Sequence, residues 1–263
     1  MNPQMKKLAL LFFFIALGGC GSANQSKSNS SEFTQNPAPV FFELRTYYCH
    51  PDKLDDLMAR FKNHTLNLFE KHGMVNVAYW LPMDNQDNKL VYLMGYQSHE
   101  QRDKAWEAFM NDPEWKEVEE TSQMNGPLVA SIVNQLMTYT DYSPQIEIAD
   151  MGKRIFSHRT YYTHEGKLED LHTRFKEHTL EIFKNNGITN VVYFDLEESD
   201  PQSKNVLHYF ISFPDTATRT ASWKSFGQDP EWTETYANSI KNGKLVDSLT
   251  AELLLPVDFS PIK

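Results

Sequence analysis

From Val40 to Tyr48 the side chains alternate between two sets. Phe42, Leu44, Thr46 and Tyr48 share one face, and Phe41, Glu43, Arg45 and Tyr47 share the other, the two-residue period of a β-strand. Pro51-Asp52 then opens a segment in which Leu54, Leu57, Met58, Phe61, Thr65, Leu68 and Phe69 recur at three- and four-residue steps, which predicts an amphipathic helix. Gly73 is placed to end it in a left-handed cap. Apolar runs at Val75–Leu81 and Leu90–Tyr96, separated by the polar turn 82–88, predict two further strands. Ser98 is an N-cap for a helix carrying Trp106 and Phe109. Asp112-Pro113 is an N-cap followed by Pro at the first helical position, so another helix starts there, with Trp115 and Val118 on its apolar side. Leu128–Thr138 reads as a last strand. The order β-α-β-β-α-α-β is a ferredoxin-like α+β unit with one extra helix.

The whole pattern then recurs. Arg45-Thr46-Tyr47-Tyr48 returns as Arg159-Thr160-Tyr161-Tyr162, and Arg60-Phe61-Lys62 with His64-Thr65 as Arg174-Phe175-Lys176 with His178-Thr179, all 114 residues on. Asp112-Pro113-Glu114-Trp115 returns as Asp229-Pro230-Glu231-Trp232 and Asp141-Tyr142-Ser143-Pro144 as Asp258-Phe259-Ser260-Pro261, now 117 residues on. A three-residue insertion between Tyr193 and Leu207 accounts for the change, in a stretch that reads as a surface loop. Two units of roughly 105 residues are a domain duplication rather than a solenoid. The expected division is domain 1 at 39–144, a linker at 145–153 and domain 2 at 154–263. Helices on one sheet face leave the other face, also apolar, to be covered. Two such sheets covering each other within the chain would make a pseudo-dimeric barrel; pairing across chains would make a homo-oligomer instead.

The first residues bear on location. Lys6-Lys7 precede the short apolar run 8–17, and Leu17-Gly18-Gly19-Cys20 resembles a bacterial lipobox. The expectation is a signal peptide at 1–19, a lipidated Cys20 and a Gly/Ser/Asn-rich disordered linker to residue 38. The protein would then be lipid-anchored in the bacterial cell envelope, at the outer membrane facing the periplasm because Gly21 rather than Asp follows the cysteine. Cys49 would be the sole remaining cysteine, with Thr163 at its equivalent position, and is read as a structural thiol. The chain has 25 basic and 35 acidic side chains; losing Lys6 and Lys7 leaves 23 against 35, a net charge of −12. Such a balance argues against nucleic acid as a partner. The same charge disfavours electrostatic adhesion to anionic lipid, so membrane attachment rests on the anchor.

Glu43-Leu44-Arg45-Thr46-Tyr47, then Phe61, His64-Thr65-Leu66, Phe69 and His72-Gly73, then Asp112-Pro113-Glu114-Trp115, together resemble the NIPSNAP family. The resemblance runs through residues 40–139 and 154–256. The second copy departs at its first strand, where Phe156-Ser157-His158-Arg159 replaces Phe42-Glu43-Leu44-Arg45. The resemblance implies a ferredoxin-like fold of the dimeric α+β barrel superfamily, which also holds cofactorless monooxygenases and haem enzymes, so it implies little chemistry. Eukaryotic members are discussed as mitochondrial and vesicle-associated adaptors.

The residues offer few catalytic signals. His64 and His178 each lie four residues after an arginine, at the edge of the apolar stripe, and are candidates for a base or ligand aimed at the barrel mouth; the plainer reading is a boundary histidine. Arg45 and Arg159 sit mid-strand beside Tyr47 and Tyr161. If the opposite face packs on the helices, they project into the barrel, either to bind an acidic ligand or to pair with a carboxylate such as Glu43. Tyr79 and Tyr193 are candidates to line the same pocket, or else plain core. No metal-ligand spacing, phosphate loop or hydrolase elbow occurs, and no cofactor or metal is expected. The leading expectation is a non-enzymatic module holding a small apolar or weakly acidic ligand or a partner protein. The alternative is a cofactor-independent monooxygenase-like enzyme using His64, Arg45 and Tyr47.

Overall fold

A computed structural model describes residues 38–263; the signal-peptide, Cys20 and linker expectations lie outside the described residues. Each repeat contributes four strands, four α-helices and one π-helical turn. The first has β1 (Phe41–Cys49), α1 (Leu54–Arg60), a π-helical turn (Phe61–Thr65), α2 (Leu66–Lys71), β2 (Val75–Pro82), β3 (Lys89–Tyr96), α3 (His99–Asn111), α4 (Pro113–Ser122) and β4 (Val129–Tyr139). The second has β5 (Ile155–Thr163), α5 (Leu168–Arg174), a π-turn (Phe175–Thr179), α6 (Leu180–Asn185), β6 (Thr189–Leu196), β7 (Val206–Phe213), α7 (Thr216–Gln228), α8 (Pro230–Ser239) and β8 (Val246–Pro256). All strand pairs are antiparallel, and the eight strands close into one barrel in the order β1-β3-β2-β8-β5-β7-β6-β4. The seams between repeats are β2 with β8 and β4 with β6.

The barrel interior is apolar and shared. Phe42, Leu44, Trp80, Val91 and Leu93 of the first repeat pack with Phe156, Phe194, Phe210 and Leu254 of the second. Trp80 stacks on Phe210 at 5.2 Å, and Phe42 meets Phe194 at 4.8 Å. Burying an aromatic side chain of this kind contributes roughly 1.5–3 kcal/mol. The helices cover the outer sheet face, where separate clusters form around Phe61, Phe69, Tyr79 and Tyr92, and around Phe175, Phe183, Tyr193 and Tyr209.

The halves are also clasped reciprocally. The duplicated Asp-aromatic-Ser-Pro motif follows the last strand of each repeat and crosses to β2 or β6 of the other. Ser260 Oγ accepts from Tyr79 N–H and Ser143 Oγ from Tyr193 N–H, each at 2.9 Å. Lys62 pairs with Asp258 and Lys176 with Asp141. Residue x of one half meets y of the other and y meets x, the contact pattern of a twofold interface carried on one chain.

The long helix of each repeat is not uniform. Leu57, Phe61, Thr65 and Phe69 are all buried at a constant spacing of four. A regular α-helix would rotate such a series by about 120° over twelve residues. The π-turn removes that drift, with the Leu66 N–H bonding back to Phe61 O and the Thr65 hydroxyl donating to Arg60 O at 3.3 Å. Thr179 and Arg174 repeat the hydroxyl bond at 3.1 Å.

Helix starts follow the sequence signals. Ser98 accepts from Gln101 N–H at 3.1 Å, and Asp112 from Glu114 N–H at 2.9 Å. Ser98→Ala is expected to lower stability by about 1 kcal/mol, read as a shifted urea midpoint at constant m-value.

Candidate functional site

The strand faces are the reverse of the sequence expectation. Arg45, Tyr47, Arg159 and Tyr161 point outward under the helices, while Phe42, Leu44 and Phe156 fill the barrel. Both faces of β1 are apolar enough to be buried, so alternation alone does not tell which one meets helices.

Arg45 lies in a cavity of about 560 Å³ between the sheet and the helices of the first repeat. Tyr47, Arg60, Phe69, Trp106, Trp115 and Glu119 are among its walls, and the N-terminal end of β4 closes one side. The Arg45 guanidinium donates to Tyr92 OH at 2.9 Å, to Tyr47 OH at 3.3 Å and to Glu43 Oε1 at 2.6 Å, and lies 4.4 Å from the centre of the Trp106 ring. Glu43 is fully buried and also accepts from Arg102 at 2.6 and 3.0 Å, Trp106 at 2.9 Å, Asn134 at 3.1 Å and Tyr96 at 3.2 Å. Burial raises its carboxyl pKa, but the Arg102 hydrogen bond and the charges of Arg45 and Arg102 outweigh that and hold it at about 2.

Arg60 is the second cation in the wall. It is 8 % exposed, stands 5.1 Å over the Trp115 ring and donates to Ser122 Oγ at 3.3 Å. Its Nε is buried with no partner, and among the described residues it forms no ion pair within 4.0 Å. Burial lowers its pKa, partly offset by Tyr47 and Glu119. The cavity thus combines aromatic walls with a guanidinium whose hydrogen-bonding capacity is partly unused. Cys49 lies beyond it; burial pushes its thiol up to about 11 despite Arg60, so it stays protonated at neutral pH, as a structural thiol should.

The other sequence candidates lie elsewhere. His64 and His178 are exposed, in outer grooves of about 560 and 510 Å³ between the long helix and α4 or α8, and do not face the barrel mouth. A uniform helical wheel puts them in line with Leu57 and Leu171; the π-turn changes that alignment. Tyr79 and Tyr193 are core residues rather than cavity walls. Their hydroxyls are taken by Asn76 and Asn190, and their rings stack on Tyr92 at 5.4 Å and Tyr209 at 5.1 Å. In the second repeat Arg159 donates to Tyr209 OH at 2.8 Å and Tyr161 OH at 3.4 Å, 4.9 Å from the Trp223 ring.

One polar group inside the barrel was not singled out from sequence. His158 Nε2 lies 3.1 Å from His208 Nδ1, which is also 3.1 Å from Thr160 Oγ1, while Gln135 Nε2 lies 3.1 Å from His208 Nε2. A Gln amide nitrogen only donates, so with this assigned amide orientation His208 Nε2 accepts and its proton sits on Nδ1. Burial lowers both histidines, His208 to about 4, with Asp200 opposing the shift, and His158 further through His208 and Lys89. The signal available was position: His158 shares the interior period of Phe156 and Thr160.

Comparison with known proteins adds the family. The NIPSNAP family model matches residues 42–144 and 156–261. This chain belongs to the NIPSNAP family. NipSnap homolog 3A of Pongo abelii and NipSnap homolog 3B of Mus musculus are each 24 % identical over 226 residues, covering 85 % of this chain and 86 % of theirs. A solved structure from Lactobacillus acidophilus NCFM, described as a proposed monooxygenase, superposes with a TM-score of 0.52 at 9 % identity, covering 83 % of this chain and 94 % of its own. At that identity the likeness is one of fold alone and carries no chemistry to this chain. Among the described residues no helix is long and apolar enough to cross a membrane, and no group of three potential metal ligands occurs.

Proposed function

We infer that this NIPSNAP protein is a binding module of the bacterial envelope, lipid-anchored through Cys20, in which two ferredoxin-like units form one barrel and the first repeat holds a small, largely apolar, weakly acidic ligand. The observation that carries the reading is the cavity under α3 and α4, where aromatic walls surround Arg60 with its unpartnered Nε. Apolar walls with few convergent polar groups are the usual make-up of a small-molecule pocket. An acid entering it would exchange water for a charge-assisted hydrogen bond. The oxygenase reading is weaker because His64, its intended base, is not among the cavity walls.

Trp106 and Trp115 line the cavity and supply an optical readout. Titration of the full-length protein in detergent with 1-naphthoate is expected to quench tryptophan fluorescence saturably. Arg60→Met, with its far-ultraviolet circular dichroism unchanged, is expected to bind about tenfold more weakly or worse. Absence of saturation, or equal affinity in the variant, would remove the basis for this reading.

A further inference from the structure

The register pairs the two repeats residue by residue. Glu43 lies opposite Met94 and Leu136; Ser157 lies opposite Ile211 and Leu253, the corresponding positions. Ser157 thus stands where the first repeat has its buried carboxylate. Two of that carboxylate's neutral donors change with it: Tyr96 becomes Phe213 and Asn134 becomes Ala251. Its cationic and indole donors do not: Arg45, Arg102 and Trp106 correspond to Arg159, Arg219 and Trp223. The second repeat therefore keeps the positive half of the network and lacks its anion.

The retained groups carry unused hydrogen-bonding capacity. Ser157 is 1 % exposed and its Oγ has no partner. Arg219 Nε is buried and also has none. Among the described residues neither Arg159 nor Arg219 forms an ion pair, whereas their counterparts share Glu43. Leaving such groups unpaired costs free energy that an incoming acceptor would recover. All three substitutions replace a larger side chain with a smaller one. Arg219 and Trp223 are only partly buried, so the socket borders solvent.

We propose that the second repeat carries an anion socket at Ser157, Arg159, Arg219 and Trp223 that takes the carboxylate of a small molecule in place of a protein side chain. It is a second site, independent of the cavity around Arg60.

Thermal unfolding of the full-length protein in sodium acetate, against sodium chloride at equal ionic strength, tests it. Acetate is expected to raise the Tm saturably, by about 5 °C at saturating concentration. The rise should vanish in Arg219→Gln and persist in Arg60→Met. Ser157→Glu, or the transplant Ser157→Glu with Phe213→Tyr and Ala251→Asn should the single change disturb folding, is expected to raise the Tm without acetate and abolish the response. An acetate effect equal to that of chloride, or one that survives Arg219→Gln, overturns the proposal. Loss of the response in Arg60→Met alone would assign it to the first repeat's cavity and likewise overturn it. Failure of 1-naphthoate binding with a normal acetate response would remove the cavity reading and leave the socket standing.

Discussion

Glu43→Ala is expected to cost about 3–5 kcal/mol of folding stability, the range for removing one partner of a buried charge network. The carboxylate accepts six hydrogen bonds, from Arg45, Arg102, Trp106, Tyr96 and Asn134. Without it two guanidiniums lie close together with no anion between them. Glu43→Gln keeps the shape and loses the charge, so it should recover only part of the loss. Urea unfolding measures both, with an unchanged m-value showing that the same fold is being melted. The matched change Ser157→Ala is expected to be near neutral, since Ser157 Oγ has no partner to lose. Equal costs at the two positions would mean that the polar network does not govern the difference between the repeats. The Glu43 contribution has its own pH window. Its carboxyl sits at about 2 in the fold against 4.5 ordinarily, so the stabilisation is complete above 4.5 and is lost as pH falls toward 2.

Acid should weaken the barrel earlier than that, through its interior histidines. His208 has a folded pKa of about 4 against 6.5, so the unfolded chain takes up a proton first as pH falls. Stability from this group is fully present above pH 6.5 and is lost between 6.5 and about 4, by about 3 kcal/mol in total. His158 shifts in the same direction and steepens the loss. The groups facing the pair are Gln135, Thr160 and Phe210, with Lys89 and Asp200 acting by charge; Glu252, opposite His158 in register, is itself paired with Lys89 at 2.8 Å. Urea midpoints taken from pH 7.5 to 4 should therefore fall, and His208→Gln should flatten the profile over that range. A flat wild-type profile would show that the pair is solvated or already charged.

Much of the fold was legible because each element carries a local signal. The caps at Ser98, Asp112, Asp215 and Asp229 all accept hydrogen bonds from their helix N-termini. The repeat offsets aligned β1 with β5 and α3 with α7 without ambiguity. What escaped was tertiary. Phe41 and Tyr47 on one face of β1 are as apolar as Phe42 and Leu44 on the other, so the helix-covered face had no distinct signature. The position of His64 depends on a π-turn whose trace in the sequence is the constant spacing of four from Leu57 to Phe69, a spacing that a uniform helical wheel does not accommodate. The Asp-aromatic-Ser-Pro motif was visible as a repeat, yet its partner lies on the opposite half. Arg60 carries no sequence signal beyond its place four residues before His64, because nothing local shows that a helical arginine is buried against Trp115.

The cavity around Arg60 is the centre of the functional reading, and native mass spectrometry of the full-length protein released from detergent, with a denatured control, tests it most directly. The expected result is a co-purifying small acidic molecule, lost on denaturation and absent from Arg60→Met. A bare polypeptide mass for the wild-type protein, or the same adduct on both proteins, would contradict it.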